Sequence, residues 1–252
     1  MPEKSTAVIL QKDENIAILT LNRPDRLNAF NVEIRDQLYE ALLSFRDDPT
    51  VDALVICGAG RGFCAGADLT EFGVEPSVIR KRRIRLQRDL WDEFRRFPKP
   101  IAAALHGFAV GSGLEMAMLC DFRFAAQDTF LALPEATLGM IPAAGGTQSL
   151  PRLANHGFAL EFALEGKRIT AAEGYQQRII SKVVPNEALL ETTIEYMKAL
   201  VRKSPQTANW IKSLVVYGLD TPMEQGLLRE QTLMARSWIK KQEQRAKQAG
   251  SL

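Results

Sequence analysis

Two short apolar runs, each followed by a glycine-rich turn, constrain the fold of this chain more than any other feature. Ala53–Cys57 and Ile101–Leu105 have the length and composition of buried strands, and they lead into GAGRGFCAGADL and HGFAVGSG. A helix is predicted after the second turn, at Leu114–Cys120. The same order recurs less clearly through Phe122–Ala126, Thr129–Ala132 and the PAAGGTQ turn. Strands that alternate with helices in this way favour an α/β architecture with partly parallel strands.

The N-terminal segment predicts two strands and one amphipathic helix. The strands are expected around Thr6–Leu10 and Ile16–Leu21, separated by the turn-like KDEN. After NRPDRLNAFN, Asn31 is a plausible N-cap because its side chain can accept a hydrogen bond from the first helical turn. The predicted apolar stripe of that helix consists of Ile34, Leu38, Leu42 and Phe45.

Strand signals end near Asn186, and only helical patterns follow. The three predicted helices are Glu187–Arg202, Pro205–Tyr217 and Thr221–Gln248. We therefore expect a core over residues 1–185 and a C-terminal helical region over residues 186–252 that packs on its own domain or on a neighbouring subunit.

Composition excludes several classes of protein. The 252 residues carry a net charge of +2, which gives no overall preference for nucleic acid, and the apolar runs are too short to cross a bilayer. The three cysteines show no CxxC spacing, so neither a disulfide framework nor a zinc site is indicated. The N-terminus lacks the pattern of a secretory signal. We expect a cytoplasmic protein with no metal site.

The glycine turns do not match the common nucleotide or hydrolase motifs. GAGRGF and GSGLEM both lack the third glycine of GxGxxG, and no GxxxxGK[ST] or HExxH occurs. Val110 and Leu114 occupy the positions where a GxSxG elbow needs glycine. A strand followed by a glycine turn and a helix still exposes backbone N–H groups at a helix N-terminus. Two such turns could form an oxyanion hole or could simply be tight turns.

Two isolated glutamates lie next to these turns. Glu115 is the only formally charged residue between Ile101 and Cys120, and Glu135 follows Pro134 among apolar residues. Carboxyl groups in apolar surroundings can have raised pKa values and can carry a proton near neutral pH. Each glutamate also has a structural explanation, because an acidic side chain favours the first turn of a helix.

Four segments together resemble the crotonase (enoyl-CoA hydratase/isomerase) superfamily. They are LNRPDRLNAFN, GRGFCAGADL, KPIAAALHGFAVGSGLEMAMLCDFRFAA and FLALPEATLGMIPAAGGTQSLPR, and the resemblance extends over essentially the whole chain. It implies a crotonase-like spiral of ββα units with a C-terminal helical region, assembled as a homotrimer or a dimer of trimers. It also implies an acyl-CoA thioester substrate. No cofactor is implied, since coenzyme A enters as part of the substrate.

The resemblance also implies roles for individual residues. Glu115 and Glu135 match the two catalytic acids, and the N–H groups of Ala65 and Ser112 match the oxyanion hole. Retention of both glutamates favours hydration of a 2-enoyl-CoA over double-bond migration. The implied substrate-binding and CoA-binding residues are Arg26, Ala29, Ala67, Asp68 and Gly111.

Further candidates are less specific. The basic run at residues 80–88, part of a helix predicted at about Pro76–Phe97, could meet CoA phosphates or form a solvated face. Possible acyl-pocket residues, which core packing explains equally well, are Phe72, Trp91 and Met140. The chain departs from the common family pattern at Ser112, Ala143 and Ser149.

Four alternative functions stay open. They are acyl-CoA isomerisation, dehydration of an unusual acyl group, thioester hydrolysis, and RNA binding through the basic helix. Non-catalytic acyl-CoA binding is disfavoured because both glutamates are present.

Overall fold

The computed structural model describes residues 6–71 and 88–249, with only the helix backbone described at residues 240, 241 and 243–249. The chain divides into two compact units, residues 1–199 and residues 200–252. Every strand of the described residues lies in the first unit, and the last of them ends at Val184. The boundary that we placed at residue 185 from the sequence stays a prediction.

Six strands of the first unit form the larger sheet. They are β1 (Val8–Asp13), β2 (Ile16–Leu21), β3 (Ala53–Gly58), β4 (Ile101–Leu105), β6 (Phe122–Ala126) and β9 (Lys182–Val184), hydrogen-bonded in that order. Within this sheet, as far as the described residues show, only the β1–β2 pair is antiparallel. The two glycine-turn strands, β3 and β4, are buried almost throughout, as expected for apolar runs in a parallel sheet.

A smaller sheet consists of three short strands: β5 (Phe108–Val110), β7 (Phe130–Ala132) and β8 (Arg168–Thr170). β5 follows β4 after only His106 and Gly107, so consecutive strands enter different sheets. β6 and β7 repeat this step, and β7 lies parallel to β5. In both cases a helical segment comes next. These ββα repeats confirm the predicted α/β architecture.

The helices of the described residues are α1 (Val32–Asp47), α2 (Leu90–Arg96), α3 (Ser112–Leu119), α4 (Gly146–Leu153), α5 (His156–Glu165), α6 (Ala171–Gln176), α7 (Leu189–Val201), α8 (Pro205–Leu219) and α9 (Met223–Ala249). α1 confirms its predicted cap, because Asn31 Oδ1 accepts a hydrogen bond from the Ile34 N–H at 2.9 Å. Its predicted stripe packs into the core, with Ile34, Leu38 and Leu42 fully buried and Phe45 partly buried.

The observed elements differ from the prediction mainly where segments are short. β1 begins at Val8 rather than Thr6, and α3 begins two residues before the predicted start, at Ser112. β5, β8 and β9 have three residues each, too few to show a period. Of the predicted basic helix, the described part is α2, which is capped by Asp89; residues 72–87 lie outside the described residues.

The second unit consists of α8 and α9, and many of their apolar side chains are exposed. Ser204 caps the N-terminus of α8, because its Oγ accepts a hydrogen bond from the Thr207 N–H at 3.2 Å. The most exposed large apolar side chains of this unit include Val215, Leu219, Leu228 and Trp238. In the described part of the chain, no helix combines the length and the apolar character that crossing a membrane requires.

Candidate active site

Asn28 connects the first predicted segment, LNRPDRLNAF, to the first glycine turn. Its side chain is fully buried, and its Nδ2 donates to the carbonyl oxygens of Ala59 and Gly62 at 2.8 and 2.9 Å. Its Oδ1 accepts from the Arg23 N–H at 2.9 Å. Both Leu27 and Asn28 have positive φ, so the backbone turns sharply at this point. The sequence did not reveal this connection.

Arg23 holds the far end of the same turn. Its Nη1 lies 3.0 Å from Asp68 Oδ2 and donates to the Ala29 carbonyl at 2.6 Å. Asp68 Oδ1 also accepts from the Thr70 N–H and hydroxyl, and these contacts, led by the hydroxyl, lower the pKa of Asp68. Asp68 thus anchors the loop through Arg23 and Thr70, and Arg23 was not among the residues predicted from the sequence.

The hydrogen bonds of the first turn argue against Ala65 as an oxyanion donor. The Ala65 N–H donates to the Leu27 carbonyl at 3.1 Å, so it is already committed within the protein. Phe30 and Ala67 form a parallel β-bridge, and its hydrogen bonds involve the two residues that flank Ala67. The Phe30 N–H donates to the Gly66 carbonyl, and the Asp68 N–H donates to the Phe30 carbonyl. In extended backbone the N–H of Ala67, which lies between these two bonded residues, points away from Phe30. Among the described residues the Ala67 N–H has no acceptor, and Ala67 lines the cavity.

The second turn places Ser112 at the start of α3. Gly111 precedes the helix with φ +49° and ψ −125°, a conformation that only glycine adopts easily. A Cβ at Gly111 would lie 2.7 Å from Glu135 Oε1, and a Cβ at Gly113 would lie 2.6 Å from Cys64 Cβ. Ser112 itself has no positive φ. Its N–H has no acceptor within the described residues, and the helix dipole adds partial positive charge there.

Glu115 is buried, with 1% of its surface exposed, and its carboxylate lies at the N-terminus of another helix. Oε1 accepts from the N–H groups of Ala144 and Gly146 at 2.9 and 2.8 Å, where α4 begins. Two N–H donors at a helix N-terminus stabilise the ionised carboxylate. The structural role considered from the sequence is therefore real, but it concerns α4 rather than the helix that carries Glu115.

Glu135 has the opposite environment. It begins the 3-10 turn Glu135–Leu138 after Pro134, and its Oε2 is buried with no hydrogen-bond partner among the described residues. Burial raises the pKa of Glu135 above its ordinary value near 4.5. The site thus pairs one carboxylate that accepts two hydrogen bonds from backbone N–H groups with one whose Oε2 has no partner among the described residues.

Both glutamates line one cavity of about 270 Å³. Gly111 and Ser112 contribute to its wall, as do both alanines of the first turn, Ala65 and Ala67. The remaining side chains of the wall are mostly apolar and include Leu69, Trp91, Val110, Leu138, Met140 and Ile141. Trp91 and Met140 are thus placed where an acyl-pocket role requires them.

The other predicted binding residues do not line this cavity. Arg26 is exposed on the turn Pro24–Arg26, and Ala29 and Asp68 support the loop behind the site. Phe72 and residues 80–87 of the basic run lie outside the described residues. Within the described residues, no group of three or more His, Cys, Asp or Glu side chains could hold a metal ion.

The two remaining departures from the family pattern fit the local structure. Ala143 is exposed at the cavity wall and precedes Ala144, whose N–H donates a hydrogen bond to Glu115. Ser149 is buried in α4, where its Oγ donates to the Gly145 carbonyl at 3.0 Å. Ser149 therefore supports the backbone that holds Glu115.

Comparisons with known proteins agree with this geometry. A sequence model of the enoyl-CoA hydratase/isomerase family matches residues 11–250. The chain is 34% identical over 226 residues to 2,3-dehydroadipyl-CoA hydratase of Escherichia coli, covering 90% of this chain and 88% of that protein. It is 34% identical over 222 residues to mitochondrial enoyl-CoA hydratase of Pongo abelii, covering 88% of this chain and 76% of that protein.

A solved structure of similar fold is the enoyl-CoA hydratase from Bacillus anthracis. It matches with a TM-score of 0.85 and 31% identity, covering 90% of this chain and 88% of that chain. The predicted crotonase-like fold is confirmed.

Proposed function

The chain belongs to the enoyl-CoA hydratase/isomerase family, and on that premise we propose that it adds water reversibly across the 2,3 double bond of a 2-enoyl-CoA thioester. It is a hydro-lyase of the enoyl-CoA hydratase type. The observation that carries the proposed chemistry is the contrast between two glutamates in one cavity. Glu115 accepts hydrogen bonds from two backbone N–H groups, whereas Glu135 Oε2 has no hydrogen-bond partner among the described residues.

The thioester oxygen binds between the N–H groups of Ala67 and Ser112. Both residues line the cavity, and neither N–H has an acceptor in the described part of the chain. Ala67 replaces Ala65 in this role, since the Ala65 N–H donates to Leu27. Polarising the carbonyl makes C3 electrophilic and stabilises the enolate that forms when water adds. One such donor contributes about a hundred- to a thousandfold to the rate.

The glutamates divide the proton transfers between them. Ionised Glu115 accepts a proton from water while the water oxygen bonds to C3. Glu135, whose raised pKa favours the neutral acid, gives its proton to C2. The proton that Glu115 accepted then passes to Glu135 within the cavity, which restores both carboxyl groups. The net change is the addition of H₂O.

The CoA portion extends from the cavity toward the turn that carries Arg26. The exposed guanidinium of Arg26 suits a phosphate, and Ala29 lies in the loop that Arg23 supports. Coenzyme A enters as part of the substrate, and we propose no other cofactor.

The proposal extends to assembly and location. The exposed apolar side chains of α8 and α9 support assembly as a homotrimer or a dimer of trimers. The three free cysteines, all buried, fit a reducing cytoplasmic location.

Hydration of crotonyl-CoA, followed by the loss of its ultraviolet absorbance and by a mass gain of one water, tests this function. Glu115→Gln keeps an oxygen that can accept the two N–H groups, so this variant should fold and lose about a hundredfold or more in kcat. Glu135→Gln should lose a comparable factor. The matched control is Glu161→Gln, an exposed residue paired with Lys167, which should keep its rate.

Other products would identify the rival reactions. Double-bond migration without a mass change would indicate an isomerase, and release of free CoA thiol would indicate a thioester hydrolase. Full turnover in folded Glu115→Gln and Glu135→Gln proteins would refute the two-glutamate mechanism.

A further inference from the structure

Ser112 is the one position of the Gly111-Ser112-Gly113 turn at which the structure accepts a side chain. At Gly111 the backbone conformation and the contact with Glu135 both exclude a Cβ, and at Gly113 the Cβ of Cys64 excludes it. Ser112 is the first residue of α3 and has no positive φ. The side chain at residue 112 can therefore vary without altering the backbone that builds the site.

Ser112 lies in the wall of the cavity, and its side chain is not part of the hydrogen-bond network of the described residues. Ser112 is half-buried and lines the cavity together with Glu115 and Glu135. Its hydroxyl has no hydrogen-bond partner among residues 6–71 and 88–249. The Asn31 and Thr170 side chains that cap α1 and α6 accept backbone N–H groups, so their conformations are fixed locally, whereas that of Ser112 is not.

The position of Ser112 restricts where its side chain can act on a bound acyl group. Cβ lies two bonds, or about 2.5 Å, from the backbone nitrogen. An N–H···O bond places the thioester oxygen about 2.9 Å from that nitrogen. The Cβ therefore lies within about 5.4 Å of the thioester oxygen in any pose that uses this N–H. Atoms at that end of the acyl group are the carbonyl carbon, the sulfur, and C2 with its substituents.

We propose that Ser112 is a specificity-determining residue whose side chain excludes a substituent on C2, so that the enzyme prefers 2-enoyl thioesters that are unbranched at this carbon. This inference rests on one part of the proposed function, the binding of the thioester oxygen by the Ser112 N–H, and not on the hydration step. Compared with glycine, serine adds two heavy atoms to this wall of the cavity, which is about the space that a methyl branch needs. One methyl group in a close-fitting site changes selectivity about 10- to 200-fold.

A substitution series at this position tests the proposal. The ratio of kcat/KM for 2-methylcrotonyl-CoA to that for crotonyl-CoA is measured for wild type and for Ser112→Gly, Ser112→Ala and Ser112→Thr. The ratio should rise at least about tenfold in Ser112→Gly, rise less in Ser112→Ala, and fall in Ser112→Thr. The ratio for 2-hexenoyl-CoA to crotonyl-CoA is the control and should stay within about twofold, because the added carbons lie at the other end of the acyl group.

Two results would overturn the proposal. One is a 2-methyl ratio that stays within twofold of wild type in Ser112→Gly. The other is an equal loss of activity on both substrates in Ser112→Gly and Ser112→Ala, which would mean that the hydroxyl acts on the common thioester.

Binding keeps this test separate from the proposed reaction. Calorimetric affinities for butyryl-CoA and 2-methylbutyryl-CoA, which cannot be hydrated, should change in the same order across the series. If that order holds but crotonyl-CoA is not hydrated, the hydratase proposal fails and the role of Ser112 stands. If crotonyl-CoA is hydrated and the order is absent, the role of Ser112 fails alone.

Discussion

Substitution of Gly111 by alanine should separate the backbone requirement of the second turn from its effect on Glu135. The backbone at φ +49° and ψ −125° is strained for any residue with a Cβ, at a cost of about 1–3 kcal/mol of folding free energy. The added Cβ would lie 2.7 Å from Glu135 Oε1. Normal contact begins near 3.4 Å, so the carboxyl group must move by about 0.7 Å.

Stability and rate should respond differently to this change. Glu135 Oε1 is the end of a flexible side chain, so its movement adds little to the loss of stability. A displacement approaching 1 Å at a proton donor, however, should lower kcat by about tenfold to a hundredfold. Urea unfolding measures the first quantity, and initial rates of crotonyl-CoA hydration measure the second.

Gly139 provides a matched control. It has φ +68°, and a Cβ there would contact nothing within 4 Å. Gly139→Ala should therefore lose about 1–2 kcal/mol of stability and keep its kcat within about threefold. A second control is kinetic. If Gly111→Ala acts through Glu135, adding it to Glu135→Gln should cost little further rate, since the displaced group is already inactive.

Equal kcat values for the Gly111→Ala and Gly139→Ala proteins would refute the expected role of Glu135 displacement. It would also be refuted if Gly111→Ala lowered the rate of Glu135→Gln by the full factor seen in the wild-type background.

Three further predictions concern the groups around the site. Burial raises the pKa of Glu135, so the fold stabilises the neutral acid. The free energy of unfolding of the wild type in urea, relative to that of Glu135→Gln, should therefore fall as pH rises from about 4.5 through the raised pKa. A difference between the two proteins that stays constant with pH would contradict this. Asn28→Ala leaves the buried Gly62 carbonyl, the partly buried Ala59 carbonyl and the Arg23 N–H without their present partner. It should cost about 2–4 kcal/mol in urea unfolding, against about 1 kcal/mol for the cap variant Asn31→Ala, and equal losses would count against the buried network. Arg23→Ala releases Asp68 and the loop of Ala67, so kcat/KM should fall about tenfold in steady-state assays, whereas an unchanged value would mean that the loop needs no such anchor.

Local patterns predicted the elements that build the site more reliably than they predicted its contacts. β3, β4, β6 and the Asn31 cap follow from apolar runs and capping chemistry, which are properties of adjacent residues. The start of α3 was missed because it depends on the backbone conformation of Gly111, at φ +49° and ψ −125°, which the residue type alone does not specify.

The choice of oxyanion donor also depended on contacts that the local sequence pattern does not predict. FCAGAD offers several N–H groups at similar sequence positions, and the sequence analysis assigned the role to Ala65. Only the hydrogen bonds to Leu27 and Phe30, which lie more than thirty residues away, show that the Ala65 N–H has an acceptor, whereas the Ala67 N–H has none among the described residues.

The sequence by itself determined the α/β class, the family and the pair of glutamates, because strand and helix patterns and the order of four motifs are local properties of the chain. In the proposed mechanism, the contacts made by the tertiary structure assign the role of base to Glu115 and that of acid to Glu135. Glu115 meets the N-terminus of α4, formed some thirty residues later, while Glu135 Oε2 finds no donor in the described residues. Proton affinity depends on the groups that folding brings around a carboxyl group, and two glutamates in apolar sequence contexts are indistinguishable until those groups are in place.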